Sequence, residues 1–288
     1  MPEYAPKIQW HRRLADKVAT SLAILCVLLV MLPLAAIFGY LLIRGIQSLN
    51  LAFFTHIPSG SPGEPGGGMA NAIIGSAVIL LVGSVIGVPL GVGSGIYLSE
   101  YSRGQFGRVV RFTADVLNGV PSIVIGIAVY TLLVMRQKHF SALAGGVALG
   151  VMMIPTITRS TEEMLRLVPS SIREAALGLG IPQWRSTLSI TLRTAMSGVI
   201  TGIMLAFARV SGETAPLLFT ALGNQYWSTK LNQPIAALPL QIYVYALSPY
   251  DEWHRLAWAG ALVLIALIVA TSASVRWVAT RGFAGGAP

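Results

Sequence analysis

The chain alternates long apolar stretches with shorter polar ones. Six stretches are apolar and almost free of charge, and each is near or above the roughly 20 residues that an α-helix needs to cross a bilayer. They are residues 18–43, 70–99, 116–135, 140–158, 195–222 and 256–275. The pattern predicts an all-α, polytopic membrane protein with six transmembrane helices, in one domain over residues 18–278.

Lys and Arg are distributed unevenly over the polar segments. Fourteen lie before the first predicted helix or after the second, fourth and sixth, whereas only five lie in the other segments. Loops that remain in the cytoplasm carry such an excess. The distribution predicts a cytoplasmic N-terminal segment over 1–17, a cytoplasmic segment over 159–193 and a cytoplasmic tail over 279–288. It also accounts for the net charge of +9 without a nucleic-acid partner.

The composition disfavours a soluble domain, a disulfide, a metal site and a P-loop in this chain. Of 288 residues, 54% are hydrophobic and 11% are charged, with a mean hydropathy of +0.69, so there is no room for a large soluble domain. The single cysteine allows no intrachain disulfide, and the four histidines lack metal-ligand spacing. None of the lysines follows a glycine, as a P-loop requires. We expect a transporter without catalytic residues, metal or cofactor of its own.

The cytoplasmic segment 159–193 has the pattern of two short helices. Ser171 followed by Glu174 is a capping-box pattern, which predicts a helix start. Gly180 suits a helix C-terminus, and Pro182 prevents continuation of that helix. A second helix from about Pro182 is expected to run into the fifth membrane helix. An ordinary amphipathic connector is the alternative interpretation.

The same segment resembles the EAA loop of the membrane subunits of bacterial ABC importers. The matching positions are Glu174, Ala175, Ala176, Gly180, Ile190 and Leu192, although Arg193 stands where the motif usually has Pro. The resemblance implies that this loop docks into a cleft of a cytoplasmic ATPase, with Ser171, Glu174, Ala175, Ala176 and Gly180 as coupling residues. The small residues allow close approach, and Glu174 is expected at least to cap its own helix.

Longer strings make the resemblance more specific. They are "PGGGMANAIIGS" (65–76), "GIYLSEYSR" (95–103), "VPSIVIGIAVY" (120–130), "TEEMLRLVPSSIREAALGLG" (161–180), "ARVSGETAPLLFTALGNQYW" (208–227) and "SPYDEWHRLAWAG" (248–260). Together they resemble the PstA family, the permease subunits of phosphate ABC importers.

This resemblance implies a type I ABC importer permease in the bacterial inner membrane. It implies a PstC-like second permease, a PstB-like ATPase dimer that binds ATP and Mg²⁺, a PstS-like phosphate-binding protein, and phosphate itself as cargo. Two alternatives stay open. One is an importer of a related oxyanion such as sulfate, molybdate or phosphonate. The other is a secondary anion transporter, which the EAA loop and the absence of a recognisable internal repeat disfavour.

Two charged residues interrupt the fifth apolar stretch. Arg209 and Glu213 are four positions apart, so on a continuous helix they share a face and are able to pair. One interpretation is a structural ion pair. The other is that Arg209 meets phosphate in transit while Glu213 positions the arginine or holds it when phosphate is absent, because a guanidinium binds phosphate bidentately.

Three further residues are candidates for the pathway. Arg159 lies where the fourth predicted helix meets the cytoplasm, either to guide the exiting anion or as one of the basic residues typical of that side. Pro121 and Ser122 lie early in the third predicted helix. Pro121 is expected either to permit a gating bend or only to start the helix.

Overall fold

The computed structural model describes residues 10–59, 66–102 and 104–284, with side chains up to residue 277. In these ranges the chain is helical and contains no β-strand, only an isolated parallel bridge between Leu222 and Ile235. The prediction of an all-α fold is confirmed. Of the predicted terminal segments, residues 1–9 and 285–288 lie outside the described part.

Thirteen α-helices follow one another in the described ranges. They are α1 (Trp10–Ser48), α2 (Leu51–Thr55), α3 (Ala70–Ile96), α4 (Gln105–Gly119), α5 (Ser122–Val129), α6 (Met135–Gln137), α7 (Ala142–Arg166), α8 (Ser170–Gly178), α9 (Gln183–Ser186), α10 (Leu192–Ser211), α11 (Ala215–Thr220), α12 (Leu238–Ala246) and α13 (Asp251–Ala284). Three π-helical segments extend or join them: Tyr97–Tyr101 after α3, Tyr130–Val134 between α5 and α6, and Thr187–Thr191 between α9 and α10.

The described helices provide five or six candidate membrane spans. Five continuous helical stretches are long and apolar enough to cross a bilayer: Trp10–Ser48, Ala70–Tyr101, Ala142–Arg166, Gln183–Ser211 and Asp251–Trp277. The pair Gln105–Gly119 and Ser122–Gln137 is bent by 105° and is either a sixth, broken span or a re-entrant loop.

The centre of the molecule is the close pair α3 and α7. Glycines recur along one face of α3, and α7 contributes Gly146 and Gly150 opposite them. A Cβ added at Gly87 would lie 2.8 Å from the Cβ of Met153, well inside contact distance. With no side chains between them, the two backbones approach closely, and they form a rigid centre for the other helices.

The first helix lies at the periphery. Only Leu41 and Gly45 of α1 are buried, and Gly45 contacts α13 at Leu262 and Trp258. The remaining apolar side chains of α1 are exposed, as expected for a helix that faces lipid.

Two predicted helices are interrupted. The segment 116–135, predicted as one helix, is divided between two helices. Its first residues belong to the end of α4 at Gly119, Val120 and Pro121 have extended backbone, and α5 begins at Ser122. The helix predicted over 195–222 ends at Ser211, and α11 begins at Ala215. Pro121 precedes α5, and Pro216 lies in the first turn of α11; proline is suited to a helix start because it has no N–H to donate.

The other helices are longer than their predicted apolar cores. Residues 18–43 and 256–275 lie inside α1 and α13. The fourth predicted span, 140–158, corresponds to α7, which continues to Arg166 and therefore includes the start of the segment 159–193 that is predicted to be cytoplasmic. The last turns of α7 carry charged residues but stay helical, because they pack against other helices.

Candidate functional site

The break between α10 and α11 carries the two charges that interrupt the fifth apolar stretch. Arg209 lies in the last turn of α10 and is exposed, whereas Glu213 lies beyond the helix end and is half-buried. The described part of the chain contains no ion pair between them. The structural ion pair, one of the two interpretations of these residues, is not formed, because the helix ends at Ser211 and the two residues no longer share a helical face.

Packing against α5 and α7 holds this break in place. A Cβ added at Gly126 of α5 would lie 2.7 Å from the Cα of Pro216, so the glycine allows α11 to rest directly on α5. Leu217 is 2% exposed in the core formed with α3 and α7. The carbonyl of Thr220 accepts a hydrogen bond of 3.0 Å from the N–H of Ser141, which precedes α7. The broken helix is therefore an ordered part of the core.

The helix α5, on which α11 rests, itself begins after a second break, between α4 and α5. Pro121 is exposed and Ser122 is half-buried at the start of α5. The side chain of Asn118, one turn before the bend, accepts a hydrogen bond of 3.1 Å from the hydroxyl of Thr156 on α7. Pro121 thus starts a helix after a sharp bend.

Arg159 belongs to a charge cluster around Glu162, whose side chain is 1% exposed. Arg111 Nε lies 2.6 Å from Glu162 Oε1, Arg166 Nη2 lies 2.6 Å from the same oxygen, and Arg159 Nη1 lies 3.5 Å from Oε2. Arg159 Nε also lies 2.9 Å from Oδ1 of Asp115. Three arginines and two carboxylates leave a formal charge of +1.

Glu162 and Arg111 are site residues that were not predicted from the sequence. The spacing Arg159, Glu162, Arg166 follows the i+3 and i+4 steps at which helical side chains meet, and this signal was available. The approach of Arg111 from α4, 51 positions away in sequence, required the fold.

Arg159 and Arg209 occupy different depths. Ser160 faces Gly202 on the neighbouring α10, and Met164 faces Gly198, so α7 and α10 run antiparallel. Arg209 lies seven residues beyond Gly202, which corresponds to about 10 Å along the helix axis. The two candidate arginines therefore lie at two different levels along the helix axes and do not form one site.

The predicted pair of cytoplasmic helices is present as α8 and α9. The capping box is wrong: α8 begins at Ser170 after Pro169, its start has no side-chain cap, and Ser171 lies inside the first turn. The predicted end is confirmed, because Gly180 has φ +77° and its N–H donates to the Leu177 carbonyl, while Ile181 N–H donates to Ala176. As predicted, α9 starts directly after Pro182 and continues into the fifth span.

The predicted coupling residues divide into two groups. Ser171, Glu174, Ala175 and Gly180 are exposed, whereas Ala176 is 3% exposed and faces the protein. Glu174 makes no capping hydrogen bond and no ion pair in the described part of the chain, so its carboxylate is free for another molecule.

Comparison with known proteins gives these features a context. Residues 87–282 match the family model described as "Binding-protein-dependent transport system inner membrane component". The chain is 48% identical to the phosphate transport system permease protein PstA of Yersinia pestis, over 90% of this chain and 88% of the relative. It is 38% identical to the PstA protein of Mycobacterium leprae, over 96% of this chain and 94% of the relative.

The chain belongs to the PstA family of binding-protein-dependent membrane permeases. A solved structure agrees with this assignment at the level of the fold. A chain in inward-facing conformations of the MetNI methionine ABC transporter superposes with a TM-score of 0.56 at 18% identity, covering 76% of this chain and 98% of that chain. The fold is that of a type I ABC importer permease, and PstA-family membership makes the chain a subunit of a membrane transporter.

Proposed function

We propose that the chain is a permease subunit of an ATP-driven importer of inorganic phosphate. It forms half of the translocation pathway, beside a PstC-like second permease. A PstB-like ATPase dimer holds ATP and Mg²⁺, and a PstS-like protein delivers phosphate. The support is the phosphate transport name of relatives up to 48% identical, together with an unpaired arginine at a broken membrane helix.

The location follows from the apolar helices and the basic segments. The chain crosses the bacterial inner membrane several times, with both termini in the cytoplasm. The excess of Lys and Arg in alternate polar segments supports this orientation.

Arg209 is the observation that carries the proposal. A guanidinium within a membrane span is costly unless it faces protein or water. Irregular backbone at that depth is likewise tolerated only where it is buried in protein or lines a water-filled path. Arg209 is exposed on this subunit beside the irregular residues Gly212 to Thr214, and it has no acidic partner in the described part of the chain. A water-filled path that carries a polyanion would hydrate Arg209, and the passing anion would neutralise its charge.

The remaining candidates have complementary roles. Glu213 lies near enough in sequence to compete for Arg209 and to repel a departing anion, which keeps the site weak. Arg159 meets the anion at a second level, closer to the cytoplasm, within the net positive cluster around Glu162. Pro121 and Ser122 at the bend before α5 contribute to a gate.

Energy reaches the pathway through α8. Ser171, Glu174, Ala175 and Gly180 form the surface that contacts the ATPase, while buried Ala176 fits α8 closely to the membrane domain. Closure of the ATPase dimer moves this helix as a rigid lever.

The test is uptake of labelled phosphate into vesicles that contain the chain with its permease, ATPase and binding-protein partners. We expect uptake to require ATP and to resist excess sulfate. Replacing Arg209 by Gln removes the charge, and we expect uptake to fall roughly tenfold or more, because a hydrogen bond to a charged group contributes about 1.5–3 kcal/mol. Arg209→Lys keeps the charge without the bidentate geometry, and its uptake should lie between that of the wild type and that of Arg209→Gln.

Arg276→Gln is the matched control, since it removes an exposed arginine near the end of α13. Normal uptake by Arg209→Gln in an assembled complex would contradict the transit role. Uptake abolished by sulfate would retain the importer and change its cargo. Uptake without nucleotide by this chain alone would favour a secondary transporter.

A further inference from the structure

The coupling helix α8 has little of its own to hold it in position. Its first turn has no side-chain cap, and Ala176 is its only buried residue. On one side of it lies a cavity of about 380 Å³, whose lining includes Glu100, Arg173 and Leu177. A helix that transmits force beside such an open space requires a stiff contact at the wall of the cavity.

One side chain, Arg173, supplies that contact. Its Nε lies 3.2 and 3.1 Å from the two carboxylate oxygens of Glu100, and its Nη2 lies 2.9 Å from Oε1. Nη1 donates to the carbonyl of Val168 at 2.7 Å, and Nη2 donates to that of Leu165 at 2.6 Å. Carbonyls at a helix C-terminus lack intrahelical partners, so Arg173 also caps the end of α7.

Glu100 connects this contact to two further elements. It lies in the π-helical turn Tyr97–Tyr101 that ends the third helix, and its side chain is 7% exposed. The hydroxyl of Ser99 donates to its carboxylate at 3.0 Å. Gln183, at the start of α9, donates to its backbone carbonyl at 3.1 Å. The ends of α3 and α7 and the starts of α8 and α9 therefore meet at one ion pair.

The chemistry of this pair suits a mechanical joint. A planar guanidinium that contacts both carboxylate oxygens resists rotation, unlike the point charge of a lysine. Arg173 directly precedes Glu174, which is exposed and free to contact another molecule. A movement of α8 at Glu174 therefore also moves the adjacent Arg173, and with it the ion pair to Glu100.

We infer that Arg173 and Glu100 are positioning residues that fix α8 to the ends of α3 and α7 and transmit its movement to the membrane helices. This inference rests on the proposed function, in which α8 receives its movement from an ATPase. The pair touches neither nucleotide nor cargo, so its loss should leave ATP hydrolysis in place and uncouple it from transport.

The experiment measures ATP hydrolysed and phosphate transported in the same vesicles, with the complete transporter. In Arg173→Ala and Glu100→Gln we expect phosphate moved per ATP to fall at least about fivefold, the lower end of usual coupling strengths. Arg173→Lys should recover part of the ratio, because lysine pairs with the carboxylate but does not span both carbonyls. Arg193→Ala and Glu163→Gln, which alter exposed residues on neighbouring helices, should keep the wild-type ratio.

A double variant tests whether the two residues act through each other. Arg173→Ala combined with Glu100→Gln should be no worse than Arg173→Ala alone, and losses that multiply would overturn the inference. An unchanged ratio in both single variants would overturn it as well. If Arg173→Ala does not assemble, the decision passes to Glu100→Gln, which preserves the shape of the side chain.

A spin label separates this inference from the proposed function. The label is placed at Leu177, which is half exposed and lines the cavity beside α8, in a background where Cys26 is replaced by Ala. Its mobility should increase in Arg173→Ala and not in Arg193→Ala. A wild-type complex that moves no phosphate would refute the proposed function, while the mobility of the label would still decide for or against the joint.

Discussion

The closeness of α3 and α7 predicts opposite effects for two glycines on the same helix. A Cβ added at Gly91 would lie 2.7 Å from the Cβ of Ile157 and 3.2 Å from the carbonyl oxygen of Ile154. A Cβ added at Gly93 would have no atom within 4 Å. Both glycines lie inside α3, so alanine gains the same helix propensity at either position, and only the packing differs.

The magnitude follows from the contact distances. Carbon atoms pack at about 3.5–4.0 Å, so Gly91→Ala forces the helices apart by roughly 1 Å. Overpacking of a filled interior costs about 1–3 kcal/mol. We expect Gly91→Ala to lower the apparent Tm by roughly 3–9 °C relative to Gly93→Ala, using about 3 °C per kcal/mol for a chain of this size.

The assay is thermal unfolding of the purified transporter in one detergent, followed by a fluorophore that reacts with newly exposed cysteine. Cys26 on the exposed first helix is replaced by Ala, and a reporter cysteine is placed at Ala148, which is 0% exposed on α7. Equal stability of the two glycine variants would refute the argument that α3 and α7 form a rigid, close-packed centre.

Two further predictions concern residues 159–193. Glu162→Gln removes the buried carboxylate that three partly exposed arginines share and should destabilise the protein by about 1–3 kcal/mol, the cost of leaving charged donors with a weaker acceptor. Glu163→Gln at the exposed neighbouring position should change stability by less than about 0.5 kcal/mol, and thermal unfolding measures both. Gly180→Ala places a side chain at φ +77° and should weaken the end of α8 by about 1 kcal/mol, visible as faster amide hydrogen exchange there than in Gly178→Ala, whose glycine is helical and unobstructed. Exchange at the same rate in both would show that α8 does not depend on this turn.

The interrupted helices show where sequence patterns were insufficient. An apolar run signals that a segment lies in lipid, but it carries no information on whether the backbone stays helical. The break after Ser211 has a local signal in Pro216, which cannot donate a hydrogen bond to a preceding turn, while Gly126, far away in sequence, leaves room for Pro216 against α5. The interpretation of Arg209 and Glu213 as an ion pair presupposed an unbroken helix.

The capping box failed for a local reason. Ser171 and Glu174 have the right spacing, but the N-cap position is occupied by Pro169, and the helix begins at Ser170 immediately after it, so Ser171 already lies inside the first turn. The stabilising group for α8 came instead from Glu100, which no spacing rule connects to Arg173.

The sequence alone determined the environment and the class of this protein. Long uncharged runs indicate helices in a bilayer, and the EAA pattern with its glycine turn predicts a short helix that ends at Gly180. Only the tertiary structure decided which charges meet. Arg111 of α4 pairs with Glu162 of α7, and Arg173 pairs with Glu100, because closely packed helices bring together residues whose separation along the chain no periodicity encodes.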